Sequence, residues 1–237
     1  MGKNDLHYHV DMVLCIDCTE SMDNILNIVK TRALGFYDDI QKKMVEKGKR
    51  IDQLRVKVIG FRDYQAYDEE VRNKTHSNEP MLVSDFFVLP EEAHKFEISV
   101  KSLQPVGGGD DEEDGLEALA YAIRSDWDKS EYAKGRHVVV LWTDQPPHAL
   151  GTNASSSKYP KGMAKDFREL SAWWGDEICH GVMDQYAKRL VLFAPEEGAW
   201  KTISDNWEMV VHHPSKAGDH LMELDYNAIL DFLAYSI

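Results

Sequence analysis

The sequence predicts an α/β fold in which helices cover both faces of a doubly wound, mostly parallel sheet. Short apolar runs recur along the chain, and the most apolar of them, VVVLW at 138–142, has the composition of a strand buried on both faces. Longer segments with apolar residues at helical spacing lie between these runs. Because strand and helix segments alternate, we expect parallel strands joined by helical crossovers.

The first predicted strand and helix set the pattern for the rest of the chain. The strand, Val10 to Asp17, is almost continuously apolar and places Asp11 at its solvent-exposed end. The helix, Ser21 to Lys47, is weakened but not ended by Gly35, and Gly48 is suited to its C-terminal cap. The later predicted strands are Arg55 to Tyr64, Val83 to Leu89, Arg136 to Trp142, Arg189 to Ala194 and Met209 to His212. The later predicted helices are Pro90 to Leu103, Gly115 to Trp127, Met163 to Trp174, Val182 to Lys188, Trp200 to Trp207 and Tyr226 to Tyr235.

These elements predict a Rossmann-like sheet with one antiparallel edge strand. The strand Val83 to Leu89 follows its predecessor without a helical crossover, so the two are expected to pair antiparallel at a sheet edge. Residues 146–162, with adjacent prolines and the run SSSKYPKG, read as a long surface loop. No repeat or linker divides the chain, and we predict a single domain spanning residues 1–237.

Composition and charge exclude several classes of function. Asp and Glu total 41 against 27 Lys and Arg, and the net charge of -14 disfavours broad electrostatic binding of nucleic acid. No apolar run approaches the roughly 18 residues that a membrane span requires, and no secretory signal pattern is present. We therefore expect a cytoplasmic location without membrane contact. Three cysteines, including a C-x-x-C partly inside the first strand, fit buried thiols better than a disulfide framework or a redox pair.

Oxygen-bearing side chains follow two of the predicted strands. Asp17 closes the first strand, and Thr19 and Ser21 follow at alternate positions. Asp144 follows Thr143, the residue directly after the strand Arg136 to Trp142. Parallel strands end at one sheet edge, where open α/β folds bind ligands. Oxygen donors suit a hard cation, so we predict bound Mg²⁺, with Mn²⁺ or Ca²⁺ as alternatives.

With these residues in view, the chain resembles the von Willebrand factor type A domain over most of its length. That family carries a metal-ion-dependent adhesion site whose first loop reads D-x-S/T-x-S and whose third loop supplies an Asp. The resemblance implies that Asp17, Thr19, Ser21 and Asp144 ligate the metal. The second loop of the family supplies a Thr, and here Asp110 of GGGD stands at or near that position. GGGD resembles bacterial cytosolic members of the family.

Each candidate also has a purely structural interpretation. Thr19 or Ser21 could cap the following helix. Asp110, with Glu113 three residues later, could form a capping box instead of binding the metal, and Asp144 could serve a turn. The remaining acidic residues of the second loop, Asp111, Glu112 and Asp114, are expected on a solvated face.

Two further groups lie near the predicted site. Arg62 and Asp63 end the second strand, where they could support the first loop or form an edge salt bridge. His148, a lone histidine in a proline-rich loop, is expected on the polar surface. The tryptophans, including Trp200 and Trp207, are expected mainly in the core, with an interface as the alternative.

The resemblance implies a metal-dependent protein-binding or scaffold domain rather than an enzyme. It further implies a protein partner, with an operon-encoded kinase or phosphatase as one candidate. The main alternative is a metal-dependent phosphotransfer or hydrolytic enzyme with Asp17 as nucleophile, and the other is an apo scaffold with a vestigial site. No phosphate-binding G-x-x-x-x-G-K-S/T, G-x-S-x-G elbow or H-E-x-x-H helix supports catalysis.

Overall fold

The strands of the chain belong to one sheet. The computed structural model describes residues 6–108, 111–129, 134–216, 218, 221–222 and 224–237. The strands are β1 (Leu6–Asp17), β2 (Lys49–Phe61), β3 (Leu82–Val83), β4 (Phe87–Leu89), β5 (Lys134–Trp142), β6 (Lys188–Pro195) and β7 (Val210–Ser215). They are arranged in the order β3-β2-β1-β5-β6-β7, and β4 also pairs with β2.

Pairing within the sheet is mostly parallel. β1 pairs parallel with both β2 and β5, and the series continues parallel through β6 and β7. β3 and β4 pair antiparallel with β2. The chain leaves β1 toward β2 and later returns to β1's other side at β5, so the strand order reverses there. Such a reversal opens a crevice at the carboxyl ends of the two strands.

Helices lie on both faces of the sheet, as the alternating sequence pattern predicts. They are α1 (Asp23–Arg32), α2 (Phe36–Glu46), α3 (Glu69–Thr75), α4 (Ala93–Ser102), α5 (Gly115–Ile123), α6 (Phe167–Trp174), α7 (Gly198–Asn206) and α8 (Tyr226–Ser236). Successive side chains of β1 alternate between the two cores, with Leu14 facing α1, α2, α4 and α8, and Cys15 facing α5, α6 and α7. The predicted fold class is therefore confirmed.

The predicted helix Ser21 to Lys47 is divided in the structure. A 3-10 turn, Glu20–Met22, precedes α1, and a second one, Ala33–Gly35, separates α1 from α2. Glycine costs a helix about 1 kcal/mol relative to alanine, which weakens the segment where the turn tightens. Gly48 follows α2 with a φ of 69°, the left-handed conformation expected after a helix end.

Three other expectations need correction. Asp11 lies in the middle of β1 and is buried, because the strand begins at Leu6 rather than at Val10. The predicted strand Val83 to Leu89 is split where Ser84 accepts a hydrogen bond from Val58 N (2.9 Å) through its Oγ. The predicted helix Val182 to Lys188 is absent from the described residues. In its place is a turn in which the Asp184 carboxylate accepts from the backbone N–H groups of Tyr186 and Ala187. Strand β6 follows this turn.

None of the helices in the described part of the chain combines the length and apolar character needed to cross a bilayer.

Candidate metal centre

The side chains predicted from two distant loops meet at the carboxyl ends of β1 and β5. Thr19 donates to Asp17 Oδ1 from its backbone N (2.9 Å) and its Oγ1 (2.7 Å). Ser21 Oγ lies 3.2 Å from Thr19 Oγ1 and donates to Asp144 Oδ1 (2.8 Å), which is 123 positions away in sequence. A continuous row of oxygens therefore joins the first loop to the loop after β5.

The hydrogen bonds of this row show which donor atoms it offers. The Thr19 hydroxyl is within donating distance of Asp17, and the Ser21 hydroxyl is within donating distance of Asp144. Thr19 Oγ1 and Ser21 Oγ also lie 3.2 Å apart, where either hydroxyl can donate to the other. Neighbouring hydroxyl and carboxylate oxygens are the donor type that a hard cation accepts.

Burial and hydrogen bonding act in opposite directions on Asp17. Burial raises the pKa of Asp17, the hydrogen bonds from Thr19 and Thr143 lower it, and the charge of Asp144 raises it, for a net value of about 6. Thr143 Oγ1 donates to Asp17 Oδ2 (2.8 Å), so both carboxylate oxygens accept hydrogen bonds. The sequence prediction missed Thr143, although its position between β5 and Asp144 is a usable signal.

Four of the five predicted ligands lie together at this sheet edge, joined by hydrogen bonds. Thr19 occupies the position before the 3-10 turn but makes no capping bond there, since its hydroxyl is turned to Asp17. Asp17, Thr19 and Asp144 are buried, and Ser21 is half-buried. Asp110 lies outside the described residues.

The glycine loop, which contains Gly107 and Gly108, contacts the first loop, Asp17 to Ser21, through its backbone. Val106 N donates to Cys18 O (3.0 Å), and Glu20 N donates to Gly107 O (3.2 Å). Gly108 has a φ of 110°, a conformation open to glycine, and a Cβ added there would lie 3.6 Å from Thr19 Cβ and 3.7 Å from Glu113 Oε1. The Glu113 carboxyl therefore lies close to the first loop.

Arg62 fixes the start of this glycine loop rather than forming the predicted alternative, an edge salt bridge. It is buried, and its guanidinium donates to Val106 O (2.9 Å) and Gln104 O (2.5 Å). These two bonds position the backbone that then contacts Cys18.

A second cluster lies beside the first, between the end of β2 and the start of α5. Carboxylate oxygens of Asp63 and Asp114 and a ring nitrogen of His148 lie within 4.8 Å of one another, a spacing that could hold a metal ion. Asn153 Nδ2 donates to Asp63 Oδ1 (2.9 Å) and to Asp114 Oδ2 (3.0 Å). Tyr64 N donates to Asp114 Oδ2 (2.6 Å).

Two glutamates adjoin this cluster from within the fold. Burial, followed by the charges of Asp17, Asp63 and Asp114, raises the pKa of Glu113 to about 10. Burial raises the pKa of Glu117, whose Oε1 accepts from Gly151 N (3.0 Å) and Tyr159 Oη (2.8 Å). Burial also raises the pKa of Asp114 to about 7. A bound cation would lower these raised pKa values, because it stabilises the charged carboxylates.

Two predictions about exposure are wrong here. Asp114 is fully buried rather than solvated, because it starts α5 under the loop that follows β5. His148 is buried rather than on the polar surface, since it faces Asp63 and its backbone N donates to Glu113 O (3.0 Å). Asp111 and Glu112 are exposed, as predicted.

The C-x-x-C thiols do not form a redox centre. Cys15 and Cys18 are free and buried, and burial raises the pKa of Cys18 to about 12. A reactive thiol requires a lowered pKa and access to solvent.

Comparisons with known proteins concern the fold. No protein-family model matches the sequence, and no curated protein matches it. Two structures of the pilus adhesin SpaC from Lactobacillus rhamnosus GG are 15% and 14% identical with TM-scores of 0.47 and 0.48, and each match covers 96% of this chain but 30% of SpaC. The vWF domain of the type V pili tip protein Mfa5 from Porphyromonas gingivalis is 22% identical with a TM-score of 0.35, covering 60% of this chain and 39% of that one.

The strand order and the layered helices carry the fold assignment. They make it a Rossmann-like α/β fold with a mostly parallel sheet and helices on both faces. Both clusters of polar side chains lie at the sheet edge where strands β1, β2 and β5 of this fold end.

Proposed function

We propose that the chain binds a protein partner through a divalent cation held by Asp17, Thr19, Ser21 and Asp144, with Asp110 as a further ligand. Mg²⁺ is the proposed ion, and Mn²⁺ and Ca²⁺ are the alternatives with the same preference for oxygen. The domain then acts as a metal-dependent scaffold within a multiprotein assembly.

One observation carries this proposal: the hydroxyls of Thr19 and Ser21 lie 3.2 Å apart and are hydrogen-bonded to two buried carboxylates, Asp17 and Asp144. A helix cap would need only one of these hydroxyls, and it would turn toward backbone N–H groups. A cation accounts for both hydroxyls and both carboxylates together.

Binding is favoured over catalysis by the surroundings of Asp17. A nucleophilic carboxylate needs an oxygen that a substrate can reach, whereas Asp17 is fully buried. Both of its oxygens also accept hydrogen bonds, from Thr19 and Thr143. Asp17 is therefore placed to orient the hydroxyls and to supply charge beside the ion.

The nature of the partner is proposed from the resemblance alone. Members of the family often bind an acidic residue of the partner at the metal. A third carboxylate from Asp110 would disfavour that and favour water. An operon-encoded kinase or phosphatase remains the candidate partner, and a cytoplasmic location is part of the same proposal.

The test is affinity capture with immobilised protein in Mg²⁺ and in EDTA, using lysate of the organism that encodes it. We expect a specific protein to be retained in Mg²⁺ and lost in EDTA, and to be lost in Mg²⁺ from Ser21→Ala. Ser102→Ala, on an exposed part of α4, is the matched control and should behave as wild type. Equal retention in both buffers would favour the apo scaffold with a vestigial site.

A further inference from the structure

Four carboxyl groups lie buried where β2 ends and α5 begins. They belong to Asp63, Glu113, Asp114 and Glu117, none of which is more than 4% exposed. Asn153 bridges Asp63 and Asp114, and the backbone of Asp63 lies near the Glu113 carboxyl. Such a concentration of buried acidic groups is unfavourable unless a positive charge lies among them.

The described residues supply little of that charge. No lysine or arginine among them lies within 4.0 Å of these four carboxyls, and only His148 does so as an ionisable base. Glu113 Oε2 and Glu117 Oε2 are buried and accept no hydrogen bond in this part of the chain. Two carboxyl oxygens in the interior are thus left for a ligand.

His148 is oriented as a metal-binding histidine would be. Its Nδ1 lies 3.1 Å from Glu112 Oε2, and a carboxylate at this distance accepts the Nδ1 proton. The other ring nitrogen, Nε2, then presents a lone pair toward Asp63 Oδ2, 3.9 Å away. Two acceptors at this separation can share an ion that lies about 2.1 Å from each of them.

We propose that Asp63, Asp114 and His148 bind a second divalent cation, beside the first and independent of it. Glu113 lies between the two groups, because its carboxyl is near the backbone of Asp63 on one side. On the other side, a Cβ added to Gly108 would lie 3.7 Å from Glu113 Oε1 and 3.6 Å from Thr19 Cβ. The second ion stabilises the loop after β5 by joining it to β2 and α5.

The donor set determines the class of metal. An imidazole nitrogen with two carboxylates favours a transition-metal dication such as Mn²⁺ or Zn²⁺ over Mg²⁺ or Ca²⁺, which prefer oxygen alone. The first group offers only oxygen. The two sites should therefore differ in whether nitrogen is bound to the ion, and this difference can be measured.

The experiment uses Mn²⁺ as the probe with the untagged 237-residue chain. Equilibrium dialysis counts bound Mn²⁺, and pulsed electron paramagnetic resonance detects nitrogen bound to it. The variants are His148→Gln, Asp63→Asn and Asp17→Ala, with the exposed His94→Gln as the matched histidine control.

We expect two equivalents of Mn²⁺ in wild type and in His94→Gln, and one in each of the other variants. The nitrogen signal should vanish in His148→Gln and persist in Asp17→Ala. One equivalent that remains after Asp17→Ala and is lost in His148→Gln would support the second site while refuting the first.

One equivalent lost only in Asp17→Ala, or a nitrogen signal unchanged in His148→Gln, would overturn the second site and leave the first intact. No bound Mn²⁺ in wild type would overturn both. His148→Gln and Asp63→Asn change different ligands of the second site. One folded variant of the two is therefore enough to test that site.

Discussion

Asp11 shows how a single buried charge is accommodated in the sheet. Its carboxylate accepts from Arg55 Nε (2.7 Å) and from Asp128 N (2.6 Å), and it is 3% exposed. The sequence places Asp11 among apolar residues, which suggested a strand end. Its true position could not be predicted because the compensating residue, Arg55, lies 44 positions away.

We expect Asp11→Ala to lower the free energy of unfolding by about 3 kcal/mol, because it leaves Arg55 without its buried partner. Urea unfolding followed by circular dichroism measures the change. The control is Glu70→Ala, which removes an exposed pair with Lys74 and should change stability by less than about 0.5 kcal/mol. Equal effects of the two substitutions would contradict this account of Asp11.

His137 links stability to pH. Burial lowers its pKa below the ordinary 6.5. Its Nε2 donates to Asp128 O (2.8 Å), so protonation would occur on Nδ1, a buried atom with no hydrogen-bond partner among the described residues. The unfolded chain thus binds this proton more readily, and stability is lost as the pH falls below 6.5.

His137→Gln keeps a hydrogen-bond donor but cannot ionise. We expect wild type to lose up to about 1 kcal/mol more than this variant between pH 7 and pH 5.5. Urea titrations at both pH values measure the difference, with the exposed His94→Gln expected to follow wild type. Parallel losses in wild type and His137→Gln would show that another group is responsible.

The burial of Glu117 could be predicted from the sequence without any motif. Glu117 is the only charged residue in α5, whose other members are apolar or glycine. A helix that is apolar on all sides is buried, so Glu117 had to be buried too. His148 and Asn153 carry no such signal, because only the path of their loop brings them to Asp63.

At the scale of elements, two glycines differ in the space that a larger side chain would find around them. Gly35 lies in the turn between α1 and α2, and a Cβ added there would meet nothing closer than 3.7 Å. Gly115 begins α5, and a Cβ there would lie 2.7 Å from Trp200 Cζ2. Trp200 cannot easily move, since it is buried and donates to Gln145 O (3.0 Å).

We expect opposite effects from the same substitution at these two positions. Gly35→Ala should stabilise the protein by about 0.5 to 1 kcal/mol by reducing the freedom of the unfolded chain. Gly115→Ala should destabilise it by about 1 to 3 kcal/mol through overpacking. Thermal and urea unfolding measure both, and a stabilised Gly115→Ala would mean that Trp200 has room to shift.

Element types were more predictable than their ends. Apolar runs and helical spacing predicted the strands and most helices, because burial on both sheet faces leaves a clear pattern. The segment Val182 to Lys188 failed because Asp184 satisfies backbone N–H groups in a turn instead of a helix. Whether a side chain takes the backbone N–H groups that a helix would use depends on distances in the folded chain. The spacing of apolar residues in the sequence does not give these distances.

At the scale of the whole molecule, topology decides where chemistry is possible. The strand reversal beside β1 brings β1 and β5 to one edge, and β2 ends at the same edge. The meeting of Asp17 and Ser21 with Asp144 could be predicted, because the two loops that carry them follow apolar strands. The second group of ligands could not, because it also needs a helix start and a loop.

Ion binding should raise the stability of the entire domain. At about 100 times the dissociation constant, a ligand stabilises by about 2.7 kcal/mol, which corresponds to roughly 5 to 10 °C in Tm for a chain of this size. We expect Tm to rise by this order on adding Mg²⁺ after EDTA treatment, and much less for Ser21→Ala. Potassium chloride at matched ionic strength is the control, and an equal rise with it would indicate simple screening.

The central claim is that oxygens from loops far apart in sequence share one cation, and calorimetric titration with Mg²⁺ tests it most directly. We predict binding in the micromolar to millimolar range for wild type and for the exposed control Asp38→Ala, and no measurable binding for a folded Asp17→Ala. A heat of binding that Asp17→Ala leaves unchanged would contradict the account.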